Sequence, residues 1–394
     1  MKNKILYISY TGILEPLGSS QVLNYIKELS KDFSFWLITL EKIDDLKDDK
    51  EILHVKDSLF KAGITWHYLP YKPGSINYFK NLKNVFLLSR SIIKYNNIKF
   101  IHCRSYMPTV VAYTLKKLGY QVDYLFDTRG FWFDEKADVG DWNRNKLIYK
   151  LSKSFEKSLY RNAYSIVMLS SKSVGLIRNG FFFKGSESLE NVYFIPTCTD
   201  LDKFKPNYEK ENYPIKIGYV GTAIGWYNFE KTAKLLQLIK YKLDFELVIY
   251  NGGQHDFIKK TLLAYGFNEE DYSLQKVKFS EIPSRMRNFD ISIFFIHPFY
   301  SKNASAATKF GELMASGVPI LTNKNVGDHE YFINEYKTGE ILDTERLGDY
   351  NYELIINSLI NKQIQKNCRN LAEEVFSLQK GVKEYTKIYE QYFK

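Results

Sequence analysis

At 394 residues the chain is too long for one typical hydrophobic core, which predicts two domains. Its 45% hydrophobic and 25% charged residues exclude a disordered chain, and a formal charge of +10 points to an anionic partner: a phosphorylated substrate, an anionic lipid or a nucleic acid. Cys103, Cys198 and Cys368 lie far apart, with neither a CxxC pair nor zinc-ligand spacing, so a disulfide scaffold is excluded and a reducing compartment is expected. The N-terminal run MKNKILYISYTG is too short for a signal segment, and no stretch approaches the roughly 18 apolar residues of a membrane span. A cytoplasmic protein is expected, at most peripheral at the inner face of the plasma membrane.

In chain order, Lys4–Tyr10 reads as a first strand, followed by the loop TGILEPLGSSQ and a helix from Ser20 to Leu29. The loop carries Gly12 and Gly18 but no GxGxxG, which excludes the dinucleotide fingerprint. Phe35–Leu40 and Ile64–Leu69 read as the next strands. Between Tyr71 and Lys99, lysines mix with aromatics, and part of this stretch is an amphipathic helix with a basic face suited to a headgroup layer. One strand then ends in His102 and Arg104, and another in Asp127-Thr128-Arg129-Gly130. A charged cluster after a strand end is a stronger site candidate than a charge on a helix face. Asp134, Glu135 and Asp138 follow, either to bind acceptor hydroxyls or simply exposed. From Lys146 to Arg161 a helix puts Lys150, Lys153, Lys157 and Arg161 on one face, a second basic stripe. Strands are expected at Ser165–Leu169 and Val192–Pro196, then a polar, proline-flanked linker, Lys205–Pro214.

The second half opens with a strand from Ile215, a Gly221 loop holding Thr222, Ala223, Gly225 and Trp226, and a helix. Phe245–Tyr250 is a further strand. Arg285 and Arg287 precede the strand Ile291–Ile296, and a helix carrying Thr308, Lys309 and Glu312 leads to the strand Val318–Asn323. The loop of this βαβ unit lies where parallel sheets bind ligands. Ser305, Ala306 and Ala307 are small enough to let an anion reach the backbone, the free amides of the helix favour it, and Lys302 and Lys309 flank the spot with mobile positive charge. The arrangement suits a diphosphate; an ordinary βα turn with solvated lysines is the competing reading. Alternating strands and helices in both halves predict two doubly wound, Rossmann-like α/β domains, 1–207 and 208–378, with a final helix, Gln379–Tyr392.

The run SKNASAATKFGELMASGVPIL resembles the donor-binding segment of GT-B glycosyltransferases of the retaining family 4 (glycosyl transferases group 1). Its pattern G-E-x-x-A-x-G-x-P is met by Gly311, Glu312, Ala315, Gly317 and Pro319. Pro196, Cys198, Asp200 and Phe204 are similar to the signature closing the family's first domain. The resemblance implies the α/β GT-B fold, with two domains facing a cleft, the 379–394 helix packed back on the first domain, and a nucleotide sugar on the second. Glu312 would hold the ribose, backbone around Ser280 would read the base, and Gly221, Thr222, Ser305, Ala306 and Thr308 would face the phosphates. Gly18, Ser19 and Arg104 would lie near the substrates. Arg129, beside Asp127, stands about where many members place a histidine in the sugar site. Arg129, Lys309 and Asp127 are therefore the catalytic candidates.

Two departures stand out. The family usually has a second glutamate eight positions before Glu312, where this chain has Ala304, and the Gly221 loop lacks the usual base, so counter-charge has to come from Lys302 and Lys309. The resemblance implies sugar transfer with retention from a UDP or GDP sugar to a glycan or lipid-linked acceptor, as in bacterial surface polysaccharide assembly. Neither cofactor nor metal is expected; the DxD-like Asp200–Asp202 lies in the wrong segment. An anionic membrane surface is a further expected partner. A nucleic acid is not, since no zinc-finger, homeodomain or RNP signature occurs. The competing class is a non-catalytic sugar-nucleotide binding protein, suggested by Ala304 and the base-free Gly221 loop.

Overall fold

A computed structural model describes residues 2–180, 189–210 and 213–394. The chain forms two compact units, Met1–Pro196 with Leu378–Lys394, and Thr197–Ser377. The first unit is built on seven parallel strands: β1 (Lys4–Ser9), β2 (Ser34–Lys42), β3 (Thr65–Tyr71), β4 (Phe100–Arg104), β5 (Asp123–Asp127), β6 (Ser165–Met168) and β7 (Val192–Phe194). Their order is β3-β2-β1-β4-β5-β6-β7. The second unit has six: β8 (Ile215–Val220), β9 (Phe245–Tyr250), β10 (Tyr272–Gln275), β11 (Ile291–Ile293), β12 (Ile320–Asn323) and β13 (Gly339–Leu342), ordered β10-β9-β8-β11-β12-β13. The strand order of each sheet thus reverses once, between β1 and β4 or between β8 and β11. The crevice at the carboxyl ends of strands next to such a reversal is the usual ligand seat of an open parallel sheet.

The apolar runs explain the central strands. Ile5, Leu6 and Ile8 are fully buried, as parallel strands covered on both faces require. The final helix, Leu378–Phe393, belongs to the first unit. Tyr389 packs edge-on against Phe33 and Phe100, and Tyr385 against Tyr25. Burying each ring contributes about 2–3 kcal/mol.

Several expected boundaries move, each for a local reason. The first helix starts at Pro16, not Ser20: proline takes the first helical position and the Ser19 amide donates to the Glu15 carbonyl. Gly18 therefore lies inside the helix, where a side-chain carbon would come within 1.6 Å of the Gly12 carbonyl oxygen. β11 stops at Ile293 because the Asn323 side-chain amide takes both the N–H and the C=O of Ile296, each at 2.9 Å. Residues 205–210 of the expected linker belong to the second unit, and just before them the Phe204 carbonyl accepts from Arg369 at 2.8 Å. Glu211 and Asn212 of that linker lie outside the described residues.

The second basic stripe is broken. Lys153 turns inward to pair with Asp134 at 2.7 Å and with buried Glu156. Asp134 is itself buried and accepts from the Tyr149 hydroxyl, and the Asp138 carboxylate is covered and paired with Arg144. Neither acid is an exposed acceptor-binding group.

Candidate functional site

In the second unit, the site forms at the carboxyl ends of β8 and β11. Gly221 follows β8 with φ +91, a backbone state suited to glycine, and its amide donates to the Tyr250 carbonyl. Asn251 and Gln254 fix this loop: Asn251 Nδ2 donates to the Gly221 carbonyl at 2.9 Å, and Gln254 Oε1 accepts from the Ala223 amide at 2.9 Å. The other wall is the segment after β11. It pairs with the Gly221 loop through Asn228 N to Phe295 O (2.9 Å) and His297 N to Trp226 O (3.0 Å).

The helix Thr308–Ala315 enters this wall with Ala307 at its N-cap and no side-chain cap. Its first amides are left for an outside acceptor, and its positive end faces the same spot. The G-E-x-x-A-x-G-x-P pattern now separates into parts. Gly311 lets the helix approach Thr199 and Phe376, since a side-chain carbon would lie 2.9 Å from Thr199 Oγ1. Gly317, at φ +71, ends the helix with its amide on Met314 O and the next amide on Leu313 O. Ala315 is core. Glu312 is the one ionisable residue of the pattern.

Lys309 and Lys302 correct an expectation: neither is a mobile surface charge. Both are buried, 7% and 3% exposed. The Lys309 ammonium sits 3.8 Å from the Tyr227 ring centre and 4.7 Å from that of Tyr219, with Phe294 at 5.3 Å. It has no hydrogen-bond partner among the described residues, and a side-chain carbon on Gly221 would lie 3.4 Å from its Nζ. Lys302 Nζ lies 3.4 Å over the Trp226 ring. Two neighbouring aromatics of the base-free Gly221 loop thus each carry a lysine from the opposite wall, where cation–π attraction partly offsets the cost of burial.

Burial drives the Lys309 pKa down, opposed by the charge of Glu312 one turn along the helix. Burial drives the Glu312 carboxyl up, opposed by Lys309. An incoming dianion would favour the charged ammonium. Ser305, Ala306 and Thr308 are half-buried along the loop and helix start, Thr222 is exposed, and Ala304 is fully buried in a short 3-10 turn, Tyr300–Ala304. Ser280 is exposed in the turn Phe279–Glu281. Sequence reasoning missed the cage of Tyr219, Tyr227 and Phe294, and also His329, which is buried, stacked on Phe310 at 4.4 Å, with neither ring nitrogen hydrogen-bonded. Only the chain reversals bring these together; no spacing announces them.

In the first unit, β1, β4 and β5 gather a second cluster. Asp127 is fully buried, with Arg104 at 3.5 Å, Arg129 at 3.6 Å and His102 Nε2 at 3.7 Å. Burial alone would raise the Asp127 pKa; Arg129, the neighbouring His102 imidazole and Arg104 outweigh it and hold the carboxyl at about 2. His102 stacks on Tyr7 at 4.1 Å, and its Nδ1 meets the Tyr389 hydroxyl at 2.5 Å. Burial lowers its pKa, opposed by Asp127, and so favours the neutral imidazole. Arg129 adopts φ +60, rare for a side chain of its size, and stays 16% exposed. Arg104, Asp127 and Arg129, expected separately at the ends of two strands, thus lie together, and His102 joins them. Gly18 is spent on packing and Ser19 is half-buried.

Known proteins can be set beside this geometry. Residues 200–375 match the family model for glycosyl transferases group 1. The uncharacterized glycosyltransferase MJ1069 of Methanocaldococcus jannaschii is 25% identical over 255 residues, covering 63% of this chain; the chain spans 64% of that relative's length. Among solved structures, sucrose-phosphate synthase from Thermosynechococcus elongatus superposes with a TM-score of 0.74 at 14% identity, over 100% of this chain and 99% of that one. The glycosyltransferase from Rickettsia africae ESF-5 gives 0.70 at 18% identity, with the same coverage. Anabaena HepE, in complex with UDP and glucose, gives 0.69 at 14% identity, over 99% and 100%. The whole chain therefore has the GT-B fold, and its residues 200–375 are similar to the glycosyl transferases group 1 domain.

Proposed function

We propose that the protein is a glycosyltransferase that moves a sugar from a UDP or GDP sugar to an acceptor hydroxyl with retention at the anomeric carbon. The observation that carries this reading is the Lys309 ammonium, buried without a hydrogen-bond partner beside Gly221 and an uncapped helix start. A buried cation of that kind is costly unless an anion completes it, and a donor diphosphate does so. In the reaction, charge grows on the leaving diphosphate; Lys309, Lys302 and the first amides of the 308–315 helix are placed to meet it without a metal. Glu312 accepts from the ribose hydroxyls, and backbone around Ser280 reads the base. Gly221, Thr222, Ser305, Ala306 and Thr308 line the phosphates. Arg129, held by the buried Asp127, serves the transferred sugar, with Arg104 and Ser19 as the first unit's other substrate contacts. HepE was solved with UDP and glucose, which supports a nucleoside diphosphate sugar as donor. The acceptor is a glycan or lipid-linked glycan, in surface polysaccharide assembly at the inner face of the plasma membrane.

The test is thermal stabilisation by UDP, GDP, ADP and CMP and their sugars, on the wild type and on Glu312→Ala. A ligand that binds only the folded form raises its midpoint by mass action. One nucleoside diphosphate is expected to shift the wild type and to lose most of that shift in the variant. No shift with any of them would refute the donor site.

A further inference from the structure

We propose that one helical face of the first unit is a docking surface for an anionic lipid bilayer. It is formed by the helices Ser75–Asn96, Tyr106–Lys117 and Leu147–Arg161. These three lie side by side: Arg90 Nε donates to Tyr120 just beyond the second helix at 2.5 Å, and Tyr113 packs edge-on against Phe155 of the third at 5.7 Å.

Charge on this layer is one-sided. The first helix carries Lys80, Lys83, Arg90 and Lys94, the second Lys116 and Lys117, the third Lys150, Lys153, Lys157 and Arg161. Against them stands a single acid, Glu156, which is fully buried and paired with Lys153. The nearby Asp123 and Asp141 are engaged by Lys116 and Lys136. Lys80, Lys83 and Lys150 are exposed.

Apolar exposure coincides with this charge. Leu147, Ile148 and Leu151 are 70%, 58% and 59% exposed, on the first turns of the third helix. Phe79 and Tyr95 are exposed along the first. Between Leu87, Arg90, Ser91, Lys94 and Tyr95 lies an open recess of about 440 Å³, rimmed by two cations. A headgroup layer satisfies both halves of this surface: phosphates meet the lysines while the leucines and aromatics enter the acyl boundary. A nucleic-acid backbone would take the lysines but leave Leu147, Ile148 and Leu151 in water. The basic stripe read from the sequence gave the third helix the wrong anchor, because Lys153 is internal and the apolar residues of the first turns face solvent.

This surface is independent of the donor reading, so each can fail alone. The test is flotation of the full chain with vesicles of phosphatidylcholine alone and of equimolar phosphatidylcholine and phosphatidylglycerol. Binding to the anionic vesicles only is expected. The triple variant Lys80→Gln, Lys83→Gln, Lys150→Gln loses roughly fivefold in partitioning per lysine, on the order of a hundredfold in all. The double variant Leu147→Ser, Leu151→Ser loses at least about tenfold. Circular dichroism and thermal midpoints are compared for each, because all five positions are exposed and their loss should leave the fold intact. Absence of binding to anionic vesicles overturns the proposal. So does binding that neither variant weakens, or lysine-dependent retardation of DNA without vesicle binding.

Discussion

Replacing Lys309 by methionine tests the donor site most directly. Methionine keeps most of the side-chain volume against Tyr219, Tyr227 and Phe294 and deletes only the ammonium. In the wild type that ammonium makes no hydrogen bond of its own. A charge-assisted hydrogen bond to a phosphate oxygen is worth about 1.5–3 kcal/mol, so the Kd for the cognate nucleoside diphosphate should rise roughly 10- to 150-fold. Titration calorimetry reads this directly, and the variant's thermal midpoint separates loss of binding from loss of fold.

The pH dependence adds an independent check. Burial depresses the Lys309 pKa, with Glu312 opposing, so the folded state disfavours the ammonium. The cost to folding is full below the depressed value and fades as pH rises toward the ordinary lysine value of about 10.5. A bound diphosphate favours the ammonium, so binding takes up protons wherever pH exceeds the depressed value. The wild type's advantage over the methionine variant should therefore shrink as pH rises. Glu312 stays in both proteins, and comparing them limits its contribution. Equal affinity of the two for every nucleoside diphosphate would refute the reasoning, as would an advantage that grows with pH.

The other predictions concern stability. Asp127→Asn leaves Arg104 and Arg129 buried against a neutral amide and should cost about 3–5 kcal/mol in denaturant unfolding. Because Asp127 is held at about 2, below its ordinary 3.8, its contribution is present above pH 3.8 and lost as pH falls through about 2; the variant should lack that part of the acid transition. Gly18→Ala drives a side-chain carbon into the Gly12 carbonyl, backbone against backbone, and should destabilise by about 2–3 kcal/mol. His329→Phe fills the same stacked slot on Phe310 and should lower the acid-unfolding midpoint. Burial holds His329 at about 3 against an ordinary 6.5, so the unfolded chain takes its proton first and wild-type stability falls as pH drops from 6.5 to 3. An unchanged acid midpoint in His329→Phe would show that this histidine does not set acid lability.

A chain of buried parallel strands announces itself through continuous apolar runs, so the first sheet and the four inner strands of the second were legible without coordinates, whereas the short, half-exposed edge strands β10 and β13 were not. The residues with chemistry at strand ends were legible too, since Arg104, Asp127 and Arg129 each follow an apolar run, and Glu312 sits in a spaced pattern with small residues. Boundaries were less so: Asn323 ends β11 early by a side-chain bond across 27 positions, which no local propensity encodes.

Sequence alone determined two doubly wound domains, the helix and loop of the candidate site, and the positions of the charged candidates, because hydrophobic period and glycine placement are local properties. Only the tertiary structure decided the state of those charges. Lys302 and Lys309 read as mobile flanking charges until the Gly221 loop folds Trp226 and Tyr227 beneath them. Lys153 reads as a surface base until Asp134 and Glu156 turn it inward. Whether a cation is hydrated, paired or caged depends on residues far away in the chain, and that distance is what a one-dimensional pattern cannot carry.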